Sequence, residues 1–177
     1  YAGLLPNAIR VTVKNLTLKN ANITAVNDGS NNAYAGGFIG RAYGTNVVEN
    51  CTLENSIVQG INKVGGIAGF QAENGISIRK CTVKGSTIKV DTENQENGQC
   101  GGILGYIGSV AAANEVSGNF IINTKVEAPA NTNIGEEHRK SSICVGTLQG
   151  VKGQSLVIDM PFSYIQSSTF NGKTIDK

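Results

Sequence analysis

The sequence predicts an all-β solenoid, a right-handed parallel β-helix of about five coils, and three observations carry that prediction. Four eleven-residue segments align at residues 13–23, 48–58, 78–88 and 116–126, with Val, Ile or Leu at the first, sixth and eleventh positions of every copy. A glycine-based segment follows each copy: AGGFIG at 35–40, VGGIAG at 64–69, CGGILG at 100–105 and a degraded CVGTLQ at 144–149. Between these anchors lie short β-branched runs separated by Asn or Gly, and no run of ten or more residues has helical spacing.

Each part of the repeat has a physical reading. The eighth position is Asn20, Asn55, Gly85 and Asn123, residue types that tolerate a left-handed corner, where stacked amides can bond along the axis. At the fourth and sixth positions, Leu16, Cys51 and Cys81 are expected to stack inward beside Leu18, Leu53, Val83 and Ile121. Two outward columns alternate in sign: Lys14, Glu49, Arg79 and Lys19, Glu54, Lys84. The glycine pairs begin at 36, 65 and 101, so the shortest repeat is 29 residues. They suit sharp corners and close coil-to-coil approach. The whole chain reads as one repeat domain, with repeats near 9–46, 47–75, 76–110 and 111–154 and a degenerate copy at 155–177. Starting at Tyr1 with no leader, and with no polar cap on its first coil, it is expected to be a piece of a longer surface protein.

Composition excludes several function classes. Of 177 residues, 40% are hydrophobic and 16% charged, which argues against disorder. The net charge of +2, with scattered Lys and Arg and no aromatic–basic interleaving, points to no nucleic-acid partner. The longest apolar stretch, 101–113, is far short of the roughly 20 residues that span a bilayer, so no membrane insertion is expected.

Features that suggest chemistry mostly fall into repeat columns. Cys51 and Cys81 occupy one position of the repeat, and Cys100 and Cys144 align at another, where other copies have Ala35 and Val64. Buried free thiols and the disulfides 51–81 and 100–144 are both compatible with that pattern. Zinc is disfavoured without a C-x-x-C pair or a second His. The single histidine, His138, lies in the mixed-charge run 136–140 and reads as a loop tip. The sequons at Asn15, Asn22 and Asn50 follow from repeat geometry, because Leu16 and Cys51 inside two of them are expected core. No cluster of carboxylates with a basic residue emerges in adjacent copies. The expectation is therefore a protein with no catalytic residues, no metal and no cofactor.

The G-G-φ-φ-G segments (φ, apolar), each following an N-x-T-φ strand in the first copies, resemble the GLUG motif of IgA-specific metallopeptidases and filamentous-haemagglutinin-like bacterial adhesins. The resemblance covers residues 10–110 well and 111–150 weakly. It implies a secreted or bacterial cell-surface protein in which the motif is a structural unit. The H-E-x-x-H zinc site of those peptidases is absent from this sequence, so their proteolysis does not carry over.

One feature lies outside the repeat. The second copy reaches its glycine pair by a minimal link at 59–64, whereas the others use 24–35, 89–100 and 127–144. All three extensions leave the same corner of the coil, and insertions on one edge of a solenoid are where binding surfaces are built. The candidate binding residues are Asp28, Asn31, Asn32, Tyr34, Asp91, Glu93, Asn94, Glu96, Asn131, Asn133, Glu136 and Glu137. The expected function is non-enzymatic, an adhesin-like or spacer module meeting a host or matrix protein or glycan, or neighbouring domains of the same chain. A carbohydrate-active β-helix (lyase or hydrolase) and an accessory domain of a secreted peptidase are the alternatives.

Overall fold

A short strand with one apolar face cannot bury it alone, so the repeated strands must stack. The computed structural model describes residues 1–29, 32–91, 98–108, 114–128, 143–148, 158–159 and 164–175. Within them the chain winds through five sheets in a fixed order. Sheet I stacks Leu5–Ile9, Ile39–Tyr43, Ala68–Gln71, Leu104–Ile107 and Val145–Leu148. Sheet II stacks Thr12–Lys14, Asn46–Glu49, Ile76–Arg79, Asn114–Ser117 and Ile158–Asp159. Sheet III holds Thr17–Lys19, Thr52–Glu54, Thr82–Lys84, Phe120–Ile122 and Tyr164–Gln166. Sheet IV holds Asn22–Thr24, Ile57–Gly60, Thr87–Val90, Lys125–Glu127 and Ser168–Phe170. Sheet V is the smallest, with Ala35–Gly36, Lys63–Gly65 and Gln99–Gly101. The first three turns pass from I to V and return to I one level on, and the fourth rejoins sheet I at Val145–Leu148, which is a parallel β-helix. The exception to parallel pairing is Lys173–Ile175, which folds back antiparallel on Ser168–Phe170 and edges sheet IV.

The core follows the repeat. Val13, Val48, Ile78 and Val116 align in sheet II, and Leu18, Leu53, Val83, Ile121 and Ile165 in sheet III. Ile23, Val58, Ile88, Val126 and Phe170 form the third column. All belong to one apolar cluster or pack against it. Left-handed backbone recurs at the corners, with φ of 53°, 50°, 58° and 47° at Asn20, Asn55, Gly85 and Asn123. A second left-handed corner at Asn15 and Asn50 carries the amide ladder, where Asn50 Nδ2 donates to Asn15 Oδ1 at 2.8 Å.

Leu16 is in register with the buried Cys51 and is itself 44% exposed in the first coil. One expectation needs correction. Cys144 does not stand over Cys100. The pairing of Leu104 with Val145, and the Cys144 carbonyl accepting from both Ile103 N and Leu104 N, put Cys144 in the column of Phe38, Ile67 and Ile103. The fourth glycine segment thus aligns three residues earlier than its cysteine suggests, with Gly146 matching Gly105. A 100–144 disulfide has no stacked pair to bridge. All four cysteines are buried and none is in a disulfide.

The corners also hold buried polar side chains in a regular role. Ser56, Ser86, Thr124 and Ser168 stand at the ninth position of the repeat, and each hydroxyl donates to the carbonyl two residues back. Their oxygens accept from the backbone of the coil below: Ala21 N to Ser56, Ser56 N to Ser86, and Thr124 N to Ser168. Cys51 and Cys81 copy half of this at the preceding corner, their Sγ atoms 3.4 Å from the Glu49 and Arg79 carbonyls. Asn119 completes that column, its Oδ1 accepting from Cys81 N at 2.9 Å. Ser86→Ala strands the buried Ser56 N–H, and a cost of about 1–3 kcal/mol is expected in urea unfolding. A cost below about 0.5 kcal/mol, the level of an ordinary surface change, would refute the relay.

Candidate functional site: the edge between sheets IV and V

Every coil must cross from sheet IV to sheet V. The second coil does so through Ile61 and Asn62 alone, between Ile57–Gly60 and Lys63–Gly65. The first and third coils spend residues 25–34 and 91–98 on the same crossing. These two insertions leave one corner, as their spacing implies, and the third extension, at 127–144, lies mostly outside the described residues. A second corner is also lengthened: between sheets I and II the chain runs through 108–113 and 149–157 in the later coils, against Gly44 and Thr45 in the earlier one. The repeat alignment hid this because its anchors lie elsewhere.

At the crossing corner the sheet IV strand ends open a cleft of about 260 Å³. Thr24, Gln59 and Asp91 come to it from three successive coils, with Val26, Asn27 and Ile61 completing its walls. Gln59 Nε2 donates to Thr24 Oγ1 at 3.0 Å, and the Asn27 side-chain oxygen accepts from Gly29 N at 2.9 Å, which folds the loop start. Val26 is 74% exposed beside these polar groups. A cleft of one carboxylate, amides, a hydroxyl and an exposed aliphatic suits a polar ligand with apolar edges. Asp28 and Asn32 are exposed on the first loop, and Asp91 on the third. Asn31, Glu93, Asn94, Glu96, Asn131, Asn133, Glu136 and Glu137, and also His138, lie outside the described residues.

Tyr34 departs from the loop-surface reading. It is buried, stacked on Tyr1 at 5.1 Å and edge-on to Phe70 at 4.9 Å, and its hydroxyl donates to Asn32 Oδ1 at 2.5 Å. Burial raises its pKa. Tyr34 anchors the loop end and leaves contact to Asp28 and Asn32.

Tyr34 also opens a strip that sequence reasoning missed. Lys63 extends between three rings, its Nζ 5.2, 5.6 and 4.8 Å from the centroids of Tyr34, Phe70 and Tyr106, and donates to Asn62 Oδ1 at 2.7 Å. Arg41 lies over Tyr43 at 4.2 Å and Tyr1 at 5.2 Å. Burial pushes the Lys63 ammonium down to about 8 and the Tyr106 phenol up to about 12. The signal was present in the alignment. Tyr34, Lys63 and Gln99 each precede a glycine segment by the same offset, and Arg41, Phe70 and Tyr106 each follow its last glycine.

On the outer faces of sheets II and III the alternating charges are paired. Glu49 bridges Lys14 at 2.8 Å and Arg79 at 3.2 Å, and Glu54 bridges Lys19 at 3.0 Å and Lys84 at 3.4 Å. Hydrogen bonds from Arg79 and then Lys14 hold the Glu49 carboxyl down at about 2. Glu115 accepts from Ser117 and Ser77 and pairs with Arg79 at 3.4 Å. These carboxylates are engaged in holding coils together. Among the described residues, no three His, Cys, Asp or Glu side chains gather to hold a metal ion.

Stacked coils in register, with loops gathered at a shared corner, define a parallel β-helical repeat protein. The chain carries the GLUG motif: the family model of that name matches residues 31–58, which take in the first glycine segment and the second copy of the eleven-residue strand pair. No curated protein matches the chain. Among solved structures it is similar to one described as a putative immunoglobulin A1 protease from Bacteroides ovatus, at 18% identity and a TM-score of 0.59. The match covers 98% of this chain and 61% of that one, so this chain spans less than two thirds of its neighbour's length. At that identity the likeness is one of fold.

Proposed function

We propose that the chain is a non-enzymatic module of a secreted or surface-exposed bacterial protein, an adhesin-like repeat that meets a host or matrix protein or glycan at the edge between sheets IV and V. The observation that carries this reading is the cleft in which Thr24, Gln59 and Asp91, from three coils, meet beside the exposed Val26. Residues 25–34 and 91–98 lengthen the crossing at this edge, and insertions on a solenoid edge are where binding surfaces are built. The GLUG motif and the Bacteroides neighbour support a secreted bacterial setting. The neighbour's description also favours a second reading, an accessory domain of a secreted peptidase, since the chain spans only part of that protein.

A glycan and matrix-protein array, probed with the chain and with a variant whose three long loops are cut to the two-residue crossing of the second coil, tests the proposal. Binding by the parent that falls at least tenfold in the trimmed variant is the expected result. Equal binding by both removes the edge from the function.

A further inference from the structure

The outward column of sheet III changes character along the helix axis. It reads Thr17, Thr52, Thr82, Phe120 and Tyr164, one residue per coil in direct register. Stacked strands repeat about every 4.8 Å, close to the length of one sugar ring in a polysaccharide. Phe120 and Tyr164 are 41% and 43% exposed, with ring centroids 6.1 Å apart. The solenoid core does not use them, and the rings of the cation–aromatic strip sit at a different corner.

Charge on this face is also uneven. Lys19 and Lys84 share Glu54, and Lys14 and Arg79 share Glu49. Lys80, exposed at the corner just before Thr82, has no carboxylate partner among the described residues. Its side chain passes beside Gly118 of the next coil, where a Cβ would still stand 3.9 Å from Lys80 Cγ, so that coil offers no side chain against its stem at this position. We propose that the outer face of sheet III binds an acidic polysaccharide. Phe120 and Tyr164 stack on the C–H faces of successive sugars, Thr82 and Gln166 meet their hydroxyls, and Lys80 takes a uronate or sulfate group. Nucleic acid fits less well, because it carries a charge on every residue, whereas Lys19 and Lys84 on this face are already engaged by Glu54. The proposal does not rest on the loop-bearing edge.

Affinity electrophoresis of the intact chain in gels containing hyaluronan, chondroitin sulfate or neutral dextran tests this, with Phe120→Ala/Tyr164→Ala and Lys80→Gln as variants. All three residues are exposed, and matched thermal unfolding confirms that each variant folds. Tyr164→Phe keeps the ring if the double variant does not fold. Retardation by an acidic glycan and not by dextran is expected, weakened at least tenfold by the double change and retained by Tyr164→Phe. Lys80→Gln weakens it several-fold and flattens its salt dependence. No retardation by either acidic glycan, equal retardation of the double variant, or tighter binding of single-stranded DNA overturns the proposal. So does a dimer, seen by sedimentation, that the double change abolishes, since the rings would then face a second copy.

Discussion

A chain carrying Gly65→Ala will not reach the folded state at 25 °C. Sheet V lies against sheet I with backbone facing backbone, and the repeated glycines are what lets the two approach. A Cβ built on Gly65 runs into the Ala68 carbonyl oxygen and stands 2.6 Å from Gly105 N, so the obstruction is main chain on the same coil and the next. No side chain can rotate away. The backbone at Gly65 is not left-handed, so an alanine there is excluded by space and not by conformation. Relief requires separating two sheets that share one core, at a cost above about 4 kcal/mol, a large part of the 5–15 kcal/mol that holds a domain folded. Gly118→Ala is the control. Its φ is +57°, but an added Cβ would meet only Lys80 atoms at 3.9 Å, so about 1 kcal/mol is expected. Circular dichroism and urea unfolding of the two variants separate the effects. A folded Gly65→Ala protein within 1 kcal/mol of the parent would mean that the close approach is not required.

Much of this was legible in the sequence because stacking turns spacing into contact. Val48, Leu53 and Val58 read as core from their recurrence alone, and Glu49 and Glu54 read as partners of the lysines and arginine in flanking copies. What the sequence concealed lay where one residue type serves two roles. Cys144 looked equivalent to Cys100 because both precede an apolar-glycine run, yet strand pairing depends on backbone register, which places it over Ile103. Leu16 keeps the register of its column beside Cys51 yet is 44% exposed in the first coil. Ser56 and Ser86 carry no apolar signal in the alignment, although a buried hydroxyl that serves two coils is as much a part of the repeat as a valine. At the candidate edge, Asp28, Asn32 and Asp91 were placed correctly on the surface. Tyr34 was misjudged because a tyrosine in a polar loop can turn its ring to the body of the protein, and here Phe70 and Lys63 receive it. The cleft residues Thr24 and Gln59 carried no signal beyond their place at strand ends.

Raising the pH from 9 to 10.5 is expected to strip several kcal/mol from the folded state. The buried thiols account for most of the loss, with the buried Tyr106 phenol adding to it above about pH 9.5. Burial raises the pKa of all four, taking Cys81 and Cys144 up to about 12 and Cys100 higher still. An acid whose folded pKa exceeds its unfolded value gives up protons first in the unfolded chain, so stability falls as pH rises through the unfolded thiol range near 9. Each fully buried thiol contributes a slope of about 1.4 kcal/mol per pH unit. Lys63 works in the opposite sense. Its folded pKa of about 8 lies below the unfolded value of 10.5, so the unfolded chain binds the extra proton between those limits and stability rises across them. One lysine cannot offset Cys81, Cys100 and Cys144 together. The net expectation is little change from pH 8 to 9, then a decline of roughly 2–3 kcal/mol per unit until Lys63 no longer helps above 10.5. Urea unfolding under reducing conditions across this range measures the curve, and Cys100→Ala provides the decisive comparison, since Ala35 already occupies that column one coil away from Val64. The variant should lose its alkaline stability less steeply, by about 1.4 kcal/mol per unit. A curve parallel to the parent's would show that the Cys100 thiol is not the buried acid its position makes it.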